Sequence, residues 1–430
     1  MPTRRTLFKN ARLLDPASGL DRKGSLLVED RLIAALDPVF GAIGSEINVI
    51  DCQGNCLAPG LVDMRVQLRE PGAEHMETME TGSHAAAAGG ITTMVALPNT
   101  EPVIDDVALV EFVARRSRDI GGVHIRTYAA ATKGLKGREL TEMGLLSGAG
   151  ALGFTDATMA LADAVVMRRA LSYARTFDLL LIQHPEEPRL AEGGVMTEGE
   201  LATWLGLAGI TPAAEIIMIE RDLRLVEITG ARYHAAHIST GAAIEVIRQA
   251  KKRGLPVTCD TAPPYFALNE TAIGEYRTFA KLSPPLRSEE DRSAVVEGLA
   301  DGTIDAIASD HAPFPQDSKR LPFASAEAGI IGLETLLPLT LELVHNGHLS
   351  LLRALQALSA KPAEIVRLPA GRLTVGAPAD LVLFDFDRPW RIDVEAFRSK
   401  SKNSPFDGRP VQGRALKTMV GGRIIFGGDK

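Results

Sequence analysis

The chain has 430 residues, with 47 basic and 54 acidic side chains, a formal net charge of −7, 45% hydrophobic residues and 23% charged residues. That balance belongs to a globular protein and excludes a disordered or collagen-like chain. The acidic excess argues against nucleic acid or an anionic membrane as a partner.

In chain order, the opening Met1-Pro2-Thr3-Arg4-Arg5-Thr6-Leu7 leads into no uninterrupted apolar stretch, so no secretion signal is expected. Residues 5–57 hold short alternating strands such as GSLLVEDRLIAAL at 24–36. Cys52 and Cys56 lack the second ligand pair of a zinc site. With Cys259 they are too few for a disulfide framework and read as free thiols in a reducing, cytoplasmic compartment. Strand-like runs follow at 61–66, 92–97, 123–129, 151–155, 179–183, 232–238, 256–259 and 304–308, with helical spacing between them at 107–118, 163–176, 242–253 and 289–300. Strands alternating with helices predict an α/β chain, here a (β/α)8 barrel. An open doubly wound sheet fits less well, because no strand is followed by a Gly-rich phosphate fingerprint. Apolar runs stay well short of the about 20 residues of a membrane span. The Pro-, Ser- and charge-rich segment 312–328 reads as a mobile loop over the barrel mouth. Short strands return at 370–430, including ADLVLFDFD at 379–387. Neither end makes a comfortable β domain alone, so the expected division is a composite β-sandwich from 1–57 and 366–430 beside a barrel over 58–365.

Barrel active sites are built at the C-terminal ends of the strands. Those ends offer Arg65 and Gln67, Asn99, Asp156, His184, His237, and Asp310 beside His311. Two histidines and two aspartates on one rim have the composition of a zinc site. Each histidine taken alone reads more readily as a hydrogen-bonded, partly buried side chain, and it is their shared position at the mouth that points to a site.

Several of these residues lie in motifs that resemble the class I dihydroorotase family of the amidohydrolase superfamily: PGLVDMRVQLREPGAEH (59–75), GGITTMVALPNTEPVID (89–105), TKGLKGRELTEMG (132–144), HIST (237–240), SPPLRSEEDR (283–292), DGTIDAIASDHAP (301–313) and GRLTVGAPADLVLFD (371–385). The resemblance runs in order along nearly the whole chain. It implies an amidohydrolase barrel with a composite sandwich, and zinc-assisted interconversion of carbamoyl-aspartate and dihydroorotate in pyrimidine biosynthesis. Hydantoinase-type relatives use a carboxylated lysine on the fourth strand, and ALGFTD offers none.

The resemblance also implies a ligand set from which this sequence departs. The family's first strand ends in His-x-His, two ligands of the more buried metal; here those positions are Arg65 and Gln67. Guanidinium has no lone pair to give and stays charged, while an amide oxygen is a weak zinc ligand. The family's aspartate pair on the fourth strand is reduced to Asp156 followed by Ala157, and two substrate contacts are replaced by Ser283 and Phe314. Arg69 and Asn99, the family's grip on the substrate carboxylate, remain. So do His184 and His237 as second-metal ligands and Asp310 as metal ligand and general base.

Three functions are open on this reading. The first is a non-catalytic dihydroorotase-like chain that assembles with aspartate carbamoyltransferase, with Arg65 in the metal position paired to Asp310 or Asp156. The second is a cyclic amidohydrolase with one zinc ion on His184, His237 and a carboxylate. The third is a sensor holding an anionic small molecule at the barrel mouth through Arg69 and Asn99. The cofactor complement is accordingly none or one zinc ion. A homodimer or hetero-oligomer is expected.

Overall fold

A computed structural model describes residues 4–38 and 47–428. The opening tripeptide weighed above against a secretion signal lies outside the described residues. Five strands open the chain: β1 (Arg5–Asp15), β2 (Leu20–Glu29), β3 (Leu32–Leu36), β4 (Asn48–Asp51) and β5 (Cys56–Pro59). The barrel follows with β6 (Leu61–Val66), β7 (Ile91–Ala96), β8 (His124–Thr127) and β9 (Leu180–Gln183). After a small parallel pair, β10 (Met196–Thr197) and β11 (Gly209–Ile210), come β12 (Arg232–Ala235), β13 (Val257–Thr261) and β14 (Ala306–Ile307). The last strands are β15 (Leu381–Arg391), β16 (Pro410–Val420) and β17 (Arg423–Phe426).

Two parallel arcs make the barrel, β6-β7-β8 and β9-β12-β13-β14. Single bridges close the ring: Phe154 pairs with Ala129 and Leu181, and His311 pairs with Val66. The run 151–155 supplies only that one-residue bridge rather than a full strand. Gly153 interrupts it and Gly150 precedes it, and glycine weakens a ladder. The predicted helices occupy Val107–Ile120, Ala164–Thr176, Gly241–Lys252 and Glu289–Asp301. Asp106, Asp163, Thr240 and Ser288 start them, each side chain accepting an N–H of the first turn. Gly121 and Gly302 end two of them at φ 64° and 83°, where a Cβ would be strained.

Both chain ends build one sheet, in the order β17-β16-β15-β5-β1-β2-β3, with β4 also on β1. β5 is the seam, parallel to β1 and antiparallel to β15. Alternation along β15 divides two cores: Leu381 and Leu383 join Phe8, Leu13, Leu26 and Met419, while Val382 and Phe384 enter the barrel's core. Cys52, Cys56 and Cys259 are buried free thiols. Among the described residues no helix is long and apolar enough to cross a membrane.

Candidate functional site

Every residue of β6 is buried, so the side chains it turns inward fill the barrel. Arg65 is one of them, only 2% exposed. Its Nε donates to Asp310 Oδ1 at 2.8 Å and its Nη2 to the Ala157 carbonyl at 3.2 Å. The pairing follows from ring closure, since Val66 bridges His311 and thereby sets the ends of the first and last barrel strands side by side.

A chain of contacts continues from this pair. Asp310 Oδ2 lies 3.1 Å from His237 Nδ1, and His237 Nε2 lies 2.8 Å from His184 Nδ1. His184 Nε2 stands 3.8 Å from Glu186 Oε1. Burial opposes a charge on Asp310, but His237 and Arg65 outweigh it and hold the carboxyl well below the usual carboxylate range. Burial, and then the Arg65 charge, push the His237 imidazole down to about 4. A neutral His237 with its proton on Nδ1, donating to Asp310, leaves Nε2 as an acceptor for the Nδ1 proton of His184. His184, His237 and Asp310 are therefore brought together. Asp156 is not among them: its carboxylate accepts from the Thr132 backbone N–H at 2.9 Å and from the Thr132 hydroxyl, and burial raises its pKa.

Farther round the rim, Asn99 Nδ2 donates to Gln67 Oε1 at 3.0 Å. Arg69, at φ 60°, donates from Nε to the Pro313 carbonyl at 3.2 Å, and its guanidinium lies 4.6 Å from the centre of the Phe314 ring. Burial draws the Arg69 pKa down to about 10. Phe314 is fixed in turn by its N–H, which donates to Asn403 Oδ1 at 3.1 Å. Ser283 is half-buried.

Sequence reasoning missed the residues that hold this rim in place. Asp63 Oδ1 accepts from the N–H groups of Arg65 and Ser309, and burial pushes its carboxyl up to about 7. Asp260 Oδ1 accepts from His237 N–H at 2.5 Å while its Oδ2 meets His234 Nε2 at 2.9 Å. Glu215, fully buried, accepts from the backbone N–H groups and hydroxyls of Ser239 and Thr240. Asp260 stands one residue past the run 256–259, and Glu186 two past His184, so both were within reach of a wider reading of the strand ends. Glu215 gave no such signal, because a glutamate in a helical stretch ordinarily faces water.

The donors do not fit a pair of zinc ions. A binuclear centre needs several lone pairs converging on two points. Here Arg65 and Gln67 bring none of imidazole quality, Asp156 is committed to Thr132, one Asp310 oxygen is taken by Arg65, and the imidazoles meet each other. Among the described residues no group of three or more His, Cys, Asp or Glu side chains is arranged to hold a metal ion.

Comparison with known proteins agrees with the fold and the motifs. A family profile described as Dihydro-orotase-like matches residues 54–243, and one described as Amidohydrolase family matches 342–426. The dihydroorotase of Anaplasma phagocytophilum (strain HZ) is 49% identical over 424 residues, covering 97% of this chain and 94% of the relative. That of Syntrophotalea carbinolica is 46% identical over 420 residues, covering 98% of each. Among solved structures, the L-hydantoinase (dihydropyrimidinase) of Arthrobacter aurescens superposes with a TM-score of 0.87 at 27% identity, covering 98% of this chain and 95% of that one. With near-complete coverage at such identity, carried by the barrel and both chain ends together, the chain belongs to the dihydroorotase family.

Proposed function

We propose that this chain is a dihydroorotase-like protein of pyrimidine biosynthesis that does not itself catalyse the ring reaction, and that it serves in the cytoplasm as a structural partner of aspartate carbamoyltransferase. One observation carries the reading: the Arg65 guanidinium, 2% exposed, is bonded to Asp310 at 2.8 Å. A fixed positive charge about 4 Å from a divalent cation repels it by about 8 kcal/mol at an effective dielectric of about 20, a large share of a typical zinc-binding energy. Asp310, the family's proton carrier, is meanwhile held as a carboxylate by two partners. Assembly with a second protein, or as a homodimer, gives the retained scaffold a task independent of chemistry at the rim.

Metal analysis of protein purified without chelator, joined to a dihydroorotate hydrolysis assay, tests the first half. Zinc well below one ion per chain and no turnover are expected; stoichiometric zinc with turnover abolished by His184→Ala overturns it. Gel filtration with aspartate carbamoyltransferase tests the second half, with co-elution expected and independent elution refuting the partnership.

A second reading, one zinc ion on an active cyclic amidohydrolase, rests on the nearness of His184 Nδ1 and His237 Nε2 at 2.8 Å, two imidazole nitrogens that would have to exchange their mutual hydrogen bond for a shared ion. It requires a third donor, and among the described residues no group of three or more His, Cys, Asp or Glu side chains is arranged around an ion; the same metal analysis separates it from the first.

A further inference from the structure

At the start of β8, away from the strand ends that carry the rim, a hollow of about 300 Å3 lies where the chain-end sheet meets the barrel. Leu32, Leu368, Pro369 and Pro378 form its apolar wall, and Leu32 is 48% exposed there. Backbone contacts fix that wall in place. Leu32 bridges Pro378, the Ile33 N–H donates to the Ala377 carbonyl at 2.9 Å, and the Ala379 N–H donates to the Arg31 carbonyl at 2.8 Å. Two guanidiniums line the same hollow, Arg31 from the turn between β2 and β3 and Arg126 from β8. Among the described residues that line it, Asp380 is the one acid, and it is already engaged. Its Oδ2 lies 3.1 Å from His124 Nε2, and its Oδ1 accepts from the Gly421 N–H at 2.7 Å. Among the described residues, neither Arg31 nor Arg126 has a carboxylate within ion-pair reach, so His124–Asp380 is the hollow's one ion pair.

A single exposed arginine or leucine is ordinary on a protein surface. Here two unmatched positive charges converge beside a concave apolar wall, in a chain whose net charge is −7. A cation would be repelled, a neutral apolar guest would desolvate the guanidiniums without pairing them, and a bare inorganic anion would leave the wall wet. We propose that this hollow is a binding site for a small organic anion, its charged group held by Arg31 and Arg126 and its apolar body laid against Leu32, Leu368 and Pro369. The guanidinium fork matches the oxygens of a carboxylate or a phosphate group. The volume stands at the lower end of small-molecule pockets, which run from about 300 to 1,000 Å3 and are lined mainly by apolar groups with a few polar anchors. A guest in the hollow touches the β2–β3 turn, β8 and the approach to β15 together, so it clamps the chain-end sheet to the barrel and stabilises the fold. The hollow shares no residue with the rim, and the assignment stands whatever the rim holds.

Calorimetry of the full chain with naphthoate as the probe tests the site. A Kd of about 1 mM or tighter is expected. Arg31→Met and Arg126→Met should each weaken it about tenfold, the loss of one charge-assisted contact. Both side chains are exposed, so neither change disturbs the fold. Naphthalenemethanol, which keeps the rings without the charge, and inorganic phosphate, which keeps the charge without the rings, should each bind about tenfold more weakly than naphthoate. Absence of naphthoate binding, an affinity that both arginine variants leave unchanged, or equal binding of the neutral alcohol or of phosphate overturns the inference. So does binding lost through Arg69→Met but kept in both variants of the hollow, since the probe then sits at the rim.

Discussion

Arg65 and Asp310 stand 245 positions apart in the chain and meet at 2.8 Å inside the barrel. Their contact is a product of ring closure, and it sets the electrostatics of the rim: the Arg65 charge that helps to keep Asp310 ionised also helps to keep His237 neutral, against the opposing pull of Asp310.

Removing one partner leaves the other buried and uncompensated. Arg65→Met is expected to destabilise the fold by about 3–5 kcal/mol, and Arg65→Met with Asp310→Asn to recover at least half of that, because the double change removes both charges. Urea denaturation of the single and double variants measures the difference.

Restoring imidazoles should restore metal affinity if strand β6 is the main obstacle. Arg65→His with Gln67→His is expected to tighten zinc binding at least tenfold by calorimetry, since it removes a repelling charge and adds two ligands. No gain would place the obstacle in the Asp156–Thr132 and His184–His237 contacts.

Asp63 gives a pH dependence of definite sign. Its folded pKa, raised to about 7 by burial, exceeds its unfolded value of about 3.9. The stability it contributes is therefore fully present below about pH 4 and lost as the pH rises through 7. Asp63→Asn should match the native protein near pH 4 and exceed it by about 2–4 kcal/mol at pH 8. Thermal melts across that range decide it; equal stability at pH 8 refutes the assignment.

The turn that presents His237 rests on Glu215. Glu215→Gln replaces one acceptor oxygen with a donor facing the N–H groups of Ser239 and Thr240. It should cost about 1–3 kcal/mol, the range for a buried polar group left unsatisfied, as read by urea denaturation.

Periodicity made the barrel legible. The runs at 61–66, 179–183 and 232–238 land on β6, β9 and β12 because strands buried on both faces are written as continuous apolar stretches. The run 151–155 has the same lettering, yet with Gly153 at its centre it is reduced to a bridge at Phe154. At the rim, strand-end positions disclosed His184, His237 and Asp310, since each stands where its strand stops. What the lettering withholds is orientation: Asp156 occupies a strand end too, but turns to Thr132. Lys319 was equally unreadable, because a lysine between serine and arginine gives no sign that it is buried.

The seam at β5 bears on how the molecule is made. Cys56–Pro59 leaves the ribosome early, but its neighbour β15 lies more than 300 residues later, so one edge of that strand must wait through synthesis of the whole barrel. A chain stalled or cut before Leu381 would carry an open, apolar strand edge, and such a nascent fragment is a natural client for chaperones and a seed for aggregation.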